Sequence, residues 1–313
     1  MFTRTSFSVA LFATALALRA STASAQTTPP APAVSPAWKK SLYSLPWVMR
    51  PAIAPNLIRL DTVYANYAAP SGNGGGTVVS MLTAGYRPIP SAQTLGFYFR
   101  MAFNVNMPAA DRSGVGLSNP MLMALWTPEV APNVRLSVFG ALAIPIGMGG
   151  GDNPDMDTRN AVRRGIQARL AMDNALFQMN YLTPVVGLGA AWTYRGLTVQ
   201  AEATVLQLIR VRGEAKDPDE ARTNFTVGAH VGYRIIPQLT ASAEVHYQHW
   251  LWTPSALAEN LRGQFTTTLG LRANLPVTHA GILRPGVAFS LPIGGAMETD
   301  NYWEMQLDLP FAF

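Results

Sequence analysis

Large apolar residues recur at every second position over long stretches of this chain. From Thr94 to Met107, Leu95, Phe97, Phe99, Met101, Phe103, Val105 and Met107 share one face, while Thr94, Gly96, Tyr98, Arg100, Ala102, Asn104 and Asn106 share the other. A period of two is that of a strand whose faces meet different surroundings. Val134 to Met148 repeats the pattern, and so do stretches within 225–234, 239–248 and 264–275. Trp303, Met305, Leu307, Leu309, Phe311 and Phe313 carry it to the last residue of the sequence, where a globular chain usually frays.

Read throughout, the alternation predicts twelve strands, near 57–68, 77–87, 94–107, 119–128, 134–147, 184–194, 197–212, 223–234, 239–251, 263–275, 281–291 and 302–313. Most are far longer than the roughly five or six residues common in sandwiches. A bilayer-crossing strand needs about 9–11 residues at a tilt of roughly 45°. Ten steps from Trp303 to Phe313 make roughly 34 Å, or about 24 Å when tilted, close to the apolar band of a membrane barrel. The connections alternate between short turns, such as Arg195-Gly196 and IIPQ at 235–238, and longer loops rich in Gly, Asp and Ser. Short turns at one end and long loops at the other predict a transmembrane antiparallel up-and-down β-barrel, all-β, with the short turns in the periplasm. An even number of strands then leaves both chain termini periplasmic.

The segment TRNAVRRGIQARLAMDNALFQMNYL within 148–183 fits this count as a long third extracellular loop. Ile166, Leu170 and Phe177 fall at helical spacing, with Arg163, Arg164 and Arg169 elsewhere, so a helix is expected there. Two short extra strands in the same region would raise the count to fourteen. In the strand expected over 197–212, Leu206 and Leu208 make both faces apolar, and a bulge is expected near them.

Composition adds the compartment. Met1–Ala25 has Arg4, an apolar run from Val9 to Leu18 and Ala-Ser-Ala before Gln26, the form of a secretory signal peptide. Residues 26–56 hold seven prolines and read as a Pro-rich periplasmic linker, with Trp38 and Trp47 at the membrane surface or barrel rim. There is no Cys, and only 13% of residues are charged against 49% hydrophobic, where about 25% charged is usual. With Arg4 and Arg19 removed, 21 Lys and Arg face 18 Asp and Glu, a net +3 that gives no argument for nucleic acid.

The leader, the amphipathic strands and a last strand ending in Phe313 resemble a Gram-negative outer-membrane β-barrel, porin- or small-molecule channel-like, over residues 57–313. The resemblance implies an outer-membrane location, contact with outer-membrane lipids and lipopolysaccharide, and an assembly signal in Trp303, Leu309, Phe311 and Phe313 read by the barrel-assembly machinery. It implies no cofactor, and oligomeric state leaves no mark in the sequence.

The predicted register turns Arg59, Asp61, Arg100, Arg135, Glu202, Arg210, His230, Glu244, His246, Arg272, Arg284, Glu304 and Asp308 into the lumen. Arginine outnumbers acid, so an open lumen would favour small anionic or polar solutes. The competing expectation is that these groups pair across the lumen, because ionisable residues shielded from lipid usually do. His230 falls opposite Glu244 with His246 one inward position further, a pairing that orients a general base in some enzymes. No G-x-S-x-G or H-E-x-x-H accompanies it, and Ser242 is the nearest hydroxyl in the pattern, so a structural pair is expected rather than a membrane lipid hydrolase. Asp152, Asp155 and Asp157 are oxygen donors without the spacing of a Ca²⁺ loop, and no metal site is assigned to them. A passive pore for small polar or amphipathic solutes is the leading expectation. The alternative is a non-conducting accessory barrel whose lumen is plugged by the 148–183 loop or by residues 38–55.

Overall fold

The computed structural model describes residues 43–54, 56–68, 74–89, 94–213, 221–252, 262–277 and 280–313. The signal-peptide-like stretch, Trp38 and His279 lie outside them. Sixteen strands form: β1 (Leu57–Ala68), β2 (Gly74–Tyr86), β3 (Leu95–Pro108), β4 (Gly114–Leu117), β5 (Met121–Trp126), β6 (Glu129–Ala131), β7 (Val134–Ala143), β8 (Tyr181–Tyr194), β9 (Leu197–Arg210), β10 (Ala221–Ile236), β11 (Leu239–Trp252), β12 (Gly263–Ala273), β13 (Leu275–Val277), β14 (Gly281–Leu283), β15 (Gly286–Ile293) and β16 (Trp303–Ala312). Twelve of them, β1, β2, β3, β5, β7 to β12, β15 and β16, pair antiparallel in sequence order, and β16 returns to β1 to close the barrel. Closure leaves no edge among the staves, as a bilayer demands of any sheet that spans it. Of the remaining four short strands, β4 continues the line of β5 along β3, β14 continues that of β15 along β16, β6 pairs with β7, and β13 pairs with β14.

The alternation does the work expected of it. Outward residues such as Ile58, Leu82, Leu122, Leu188, Leu269 and Leu307 are 41–65% exposed, a girdle that would drive aggregation in water and that lipid covers in a membrane barrel. At the tight β8–β9 turn, Arg195 and Gly196 both have positive φ, 48° and 90°, the geometry of a two-residue hairpin whose twist matches its strands.

Several boundaries move, some of them at a proline. The strand expected over 281–291 is β14 and β15, because Pro285 has no N–H for the ladder; β14 pairs with β13 as a rim hairpin and touches the end of β16. Pro120 and Pro128 bracket β5, and Pro145 follows the end of β7. Two extra staves do not form in 148–183: that region holds α1 (Met156–Arg164), a 3-10 turn at Gln167–Arg169 and α2 (Asn174–Phe177), so the count is twelve. The helix lies earlier than Ile166, Leu170 and Phe177 suggested, since Gly165 ends it and Leu170 and Ala171 take left-handed backbone. A fourth helix-like turn, α3 (Gly295–Thr299), caps the β15–β16 connection. No bulge occurs at Leu206 and Leu208: β9 keeps one register with both β8 and β10.

Candidate functional site

The interior of a twelve-stave barrel is a space that two stretches of this chain enter. Residues 43–54, read from composition as the end of a linker, run among inward side chains of β1, β3, β9, β11, β12 and β16. Trp47 is fully buried there rather than at the rim. From the long-loop end, residues 165–180 fold inward and bury Leu170, Met172, Leu176 and Phe177. They pack with Leu206, Leu208, Val79 and Met81 in one apolar cluster. The apolar inner face of β9 is therefore the seat of a loop.

An irregular segment inside a sheet has no ladder to satisfy its backbone, so side chains of the wall must do it. Glu244 accepts the N–H groups of Trp47 and Val48, and Glu202 accepts that of Arg50 at 2.9 Å. Arg284 donates to the carbonyl of Tyr43 at 3.1 Å, Arg272 to that of Leu45, and Arg59 to those of Pro46 and Trp47. Gln200 donates to the Arg50 carbonyl at 2.7 Å and accepts from the Tyr43 hydroxyl. Ring packing completes the fit: the Arg272 guanidinium lies 4.0 Å over Trp47, whose indole occupies space beside Gly270 and Gly286 that a Cβ on either would fill.

The charged groups form a continuous chain across the lumen. Arg50 bonds Glu202 at 2.8 Å and reaches Asp173 at 3.5 Å. Asp173 takes Arg100 at 2.7 Å and Arg169 at 3.2 Å, Arg169 takes Asp61 at 2.7 Å, and Arg59 joins Asp61 to Asp308, which also holds Arg272. Arg50 also donates to the Met172 carbonyl at 3.3 Å, so the two inserted segments touch each other as well as the wall. Burial pushes the Asp173 carboxyl up, but Arg100, Arg169 and Arg50 more than offset it and hold it well below the usual carboxylate range.

Of the residues expected in the lumen, Arg59, Asp61, Arg100, Glu202, Arg272 and Asp308 meet in this chain or through it. His230 and His246 both bond Glu244, at 3.0 and 2.8 Å. Arg284 serves the Tyr43 carbonyl, and Glu304 is buried with Oε1 unpartnered. Two residues stand apart. Arg135 is at the short-turn rim, paired to Glu129 at 3.0 Å, and Arg210 is at the opposite end against the Tyr181 hydroxyl. The open cation-rich wall is thus replaced by a paired one. Sequence reasoning missed Arg50, Arg169 and Asp173 as partners, because none lies on a strand whose parity could place it.

A further contact was missed: the Ser44 hydroxyl lies 3.1 Å from His230 Nε2, whose Nδ1 meets Glu244. This order of groups is that of a nucleophile, base and orienting acid. Here Glu244 also carries two backbone N–H groups, Ser44 is buried, and Gly232 backs it so closely that a Cβ would overlap the hydroxyl. The arrangement anchors the segment to the wall. Asp155 caps α1, accepting from Asp157 N–H and the Thr158 hydroxyl, which accounts for one of the three loop carboxylates. On the last strand, Leu309 and Phe313 face outward, the Phe311 and Phe313 rings stack at 5.8 Å, and Trp303 meets Tyr64 at 5.6 Å across the closing seam.

A closed twelve-stave barrel with an apolar girdle and a polar interior defines an outer-membrane-type β-barrel fold. No protein-family model matches the chain, and no curated protein matches its sequence. Solved structures match its fold. An outer membrane channel from Pseudomonas putida F1 overlaps with a TM-score of 0.56 at 12% identity, covering 85% of this chain and 98% of that one. The NanC porin (TM-score 0.48, 9% identity, 82% and 98% covered) and the KdgM porin in complex with oligogalacturonate (0.45, 9%, 82% and 99%) overlap more loosely.

Proposed function

We propose that this protein is an outer-membrane channel for small polar solutes that rests closed, its own 43–54 segment and 144–180 loop acting as gate. The observation that carries the reading is how the lumen is filled. Residues 43–54 are held by ion pairs and by wall side chains donating to or accepting from their backbone, and residues 165–180 by the Arg169 and Asp173 ion pairs together with their apolar contact to the wall. Water can replace such bonds once it enters, whereas a wholly apolar filling offers no such exchange. Short turns at one end and long loops at the other support an orientation with the short turns and both termini in the periplasm. The aromatic last strand supports recognition by the barrel-assembly machinery, and the exposed girdle supports contact with lipid and lipopolysaccharide.

The test is single-channel conductance of the refolded chain from Gln26 in planar bilayers, beside a variant lacking residues 43–54. Rare openings in the parent and frequent discrete steps in the variant are expected. Two correctly folded, heat-modifiable barrels that both stay silent would sink the channel reading in favour of a non-conducting accessory barrel, which the filling of the lumen from both ends favours.

A further inference from the structure

Most lumen arginines are ion-paired, and a second group of arginines gathers at the long-loop mouth. α1 lies across this mouth, seated against β4 where Gly114 and Gly116 admit the Asp157 backbone and Val162 closely. Below it opens a cavity of about 790 Å³, lined by Tyr67 and Asn106 from the barrel wall and by Arg112, Arg163, Arg164 and Gln167. Arg164 is fixed with its guanidinium 4.1 Å over the Tyr67 ring, and the Tyr67 hydroxyl is tied to Asn106 at 3.1 Å. Arg112, Arg163 and Arg164 make no ion pair among the described residues. Partial burial, followed by the nearby Arg159, Arg222 and Arg164, lowers the Arg163 pKa. Gln167 also lines this space, and its buried amide oxygen lacks a hydrogen-bond partner among the described residues. Asp111 and Asp157 line the cavity too, but Asp157 is one full helix length away from Arg164, roughly 10 Å at 1.5 Å per residue. The bland account, basic residues completing a helix C-terminus, explains Arg163 and Arg164 alone and not their convergence with Arg112 on a walled cavity.

We infer that this cavity is a binding site for a small organic anion, a carboxylate-bearing solute gripped by Arg163 and Arg164. Guanidinium forks match carboxylates in geometry, and the cavity opens onto inward-facing Tyr67 and Asn106 rather than onto the lipid-facing wall, which favours a soluble anion over a lipopolysaccharide phosphate. Its role as an entry site for transport rests on the channel reading; the binding itself does not.

The experiment is calorimetric titration of the full barrel from Gln26, refolded in neutral detergent free of lipopolysaccharide, with citrate as probe and sucrose and spermidine as neutral and cationic comparisons. Saturable citrate binding that weakens with added NaCl is expected, with no comparable binding of the other two. Arg163→Gln and Arg164→Gln should each weaken it about fivefold, and the pair more than tenfold, while Arg135→Gln at the opposite rim leaves it unchanged. Folding of each variant is checked by heat-modifiable gel mobility. Citrate heats that do not saturate, equal affinity in the folded double variant, equal loss in Arg135→Gln, or binding of lipopolysaccharide but not citrate would each overturn the site. Binding in a barrel that never conducts retains the site and retires only its transport role.

Discussion

Arg50→Ala is the sharpest perturbation of the gate. Arg50 bonds both the wall, at Glu202, and the other inserted segment, at Asp173 and the Met172 carbonyl. It also lies 5.6 Å over Phe139. Truncation leaves Glu202 fully enclosed with only the Arg50 N–H and no cation, and losing one partner of a buried pair costs about 3–5 kcal/mol. The barrel wall keeps all its ladders, so the cost falls on the docked state of residues 43–54. The undocked state avoids it, because water then reaches Glu202. A shift of about 3 kcal/mol is roughly 150-fold in the closed-to-open ratio. Single-channel open probability should rise on that scale, and protease should cut within 43–54 in the folded variant but not in the parent. Arg50→Lys, which keeps the charge but not the fork, should fall between. An Arg50→Ala barrel that is folded, equally protected and no more often open would refute the latch.

Gly270→Ala should open the gate without touching a charge, because a Cβ there overlaps the Trp47 indole; conductance reads it, and an unchanged open probability would count against the seat assigned to Trp47. Trp47→Ala removes a fully buried indole and should destabilise the docked segment by about 3–5 kcal/mol, read as protease sensitivity of 43–54. For pH, the Asp173 carboxyl is held below its unfolded value of about 3.9, so its contribution is fully present above that value and is lost as pH falls through the folded one. Gating should thus be flat in this term from neutral pH down to about 4 and loosen below, and Asp173→Asn should loosen it at pH 7; a parent equally closed at pH 3 contradicts the assignment. Deleting Phe313, at the end of the last stave, should reduce insertion into the outer membrane in cells, measured as loss of the heat-modifiable form, with refolding in detergent largely retained.

The wall was legible in the sequence because period-two alternation over ten or more residues states at once that a segment is a strand and which way each side chain points. That is why Arg59, Asp61 and Asp308 could be placed on the inner face before any coordinates. The two segments that fill the wall were named only as an alternative, and the contacts that seat them were not legible. Arg50 lies four residues past Pro46 and just before Pro51, where no period fixes direction, and its partners Glu202 and Asp173 are 152 and 123 positions away. Two signals pointed to a filling and were read otherwise. Leu206 and Leu208 suggested a bulge, yet inward leucines in a polar lumen mean that something apolar covers them. Glu244 with two histidines suggested a self-contained pair, yet the carboxylate had room for two further donors.

The choice of ions to hold the filling has a thermodynamic consequence. A buried ion pair gains little over its hydrated parts, because desolvating both charges costs nearly what their attraction returns, while losing one partner alone is expensive. A segment fixed by many such pairs is therefore specific in position yet only weakly favoured over a hydrated lumen in which every charge regains water. Apolar anchoring behaves in the opposite way, at roughly 25 cal/mol for each Å² kept from water with no compensation on release. In this protein the apolar share falls mostly on residues 165–180, against Leu206 and Leu208, and the ionic and backbone share on residues 43–54, with Trp47 as its main apolar contact. The two halves of the gate should differ accordingly: the 43–54 segment is the part that leaves, and the loop is the part that stays to shape the lumen it leaves behind.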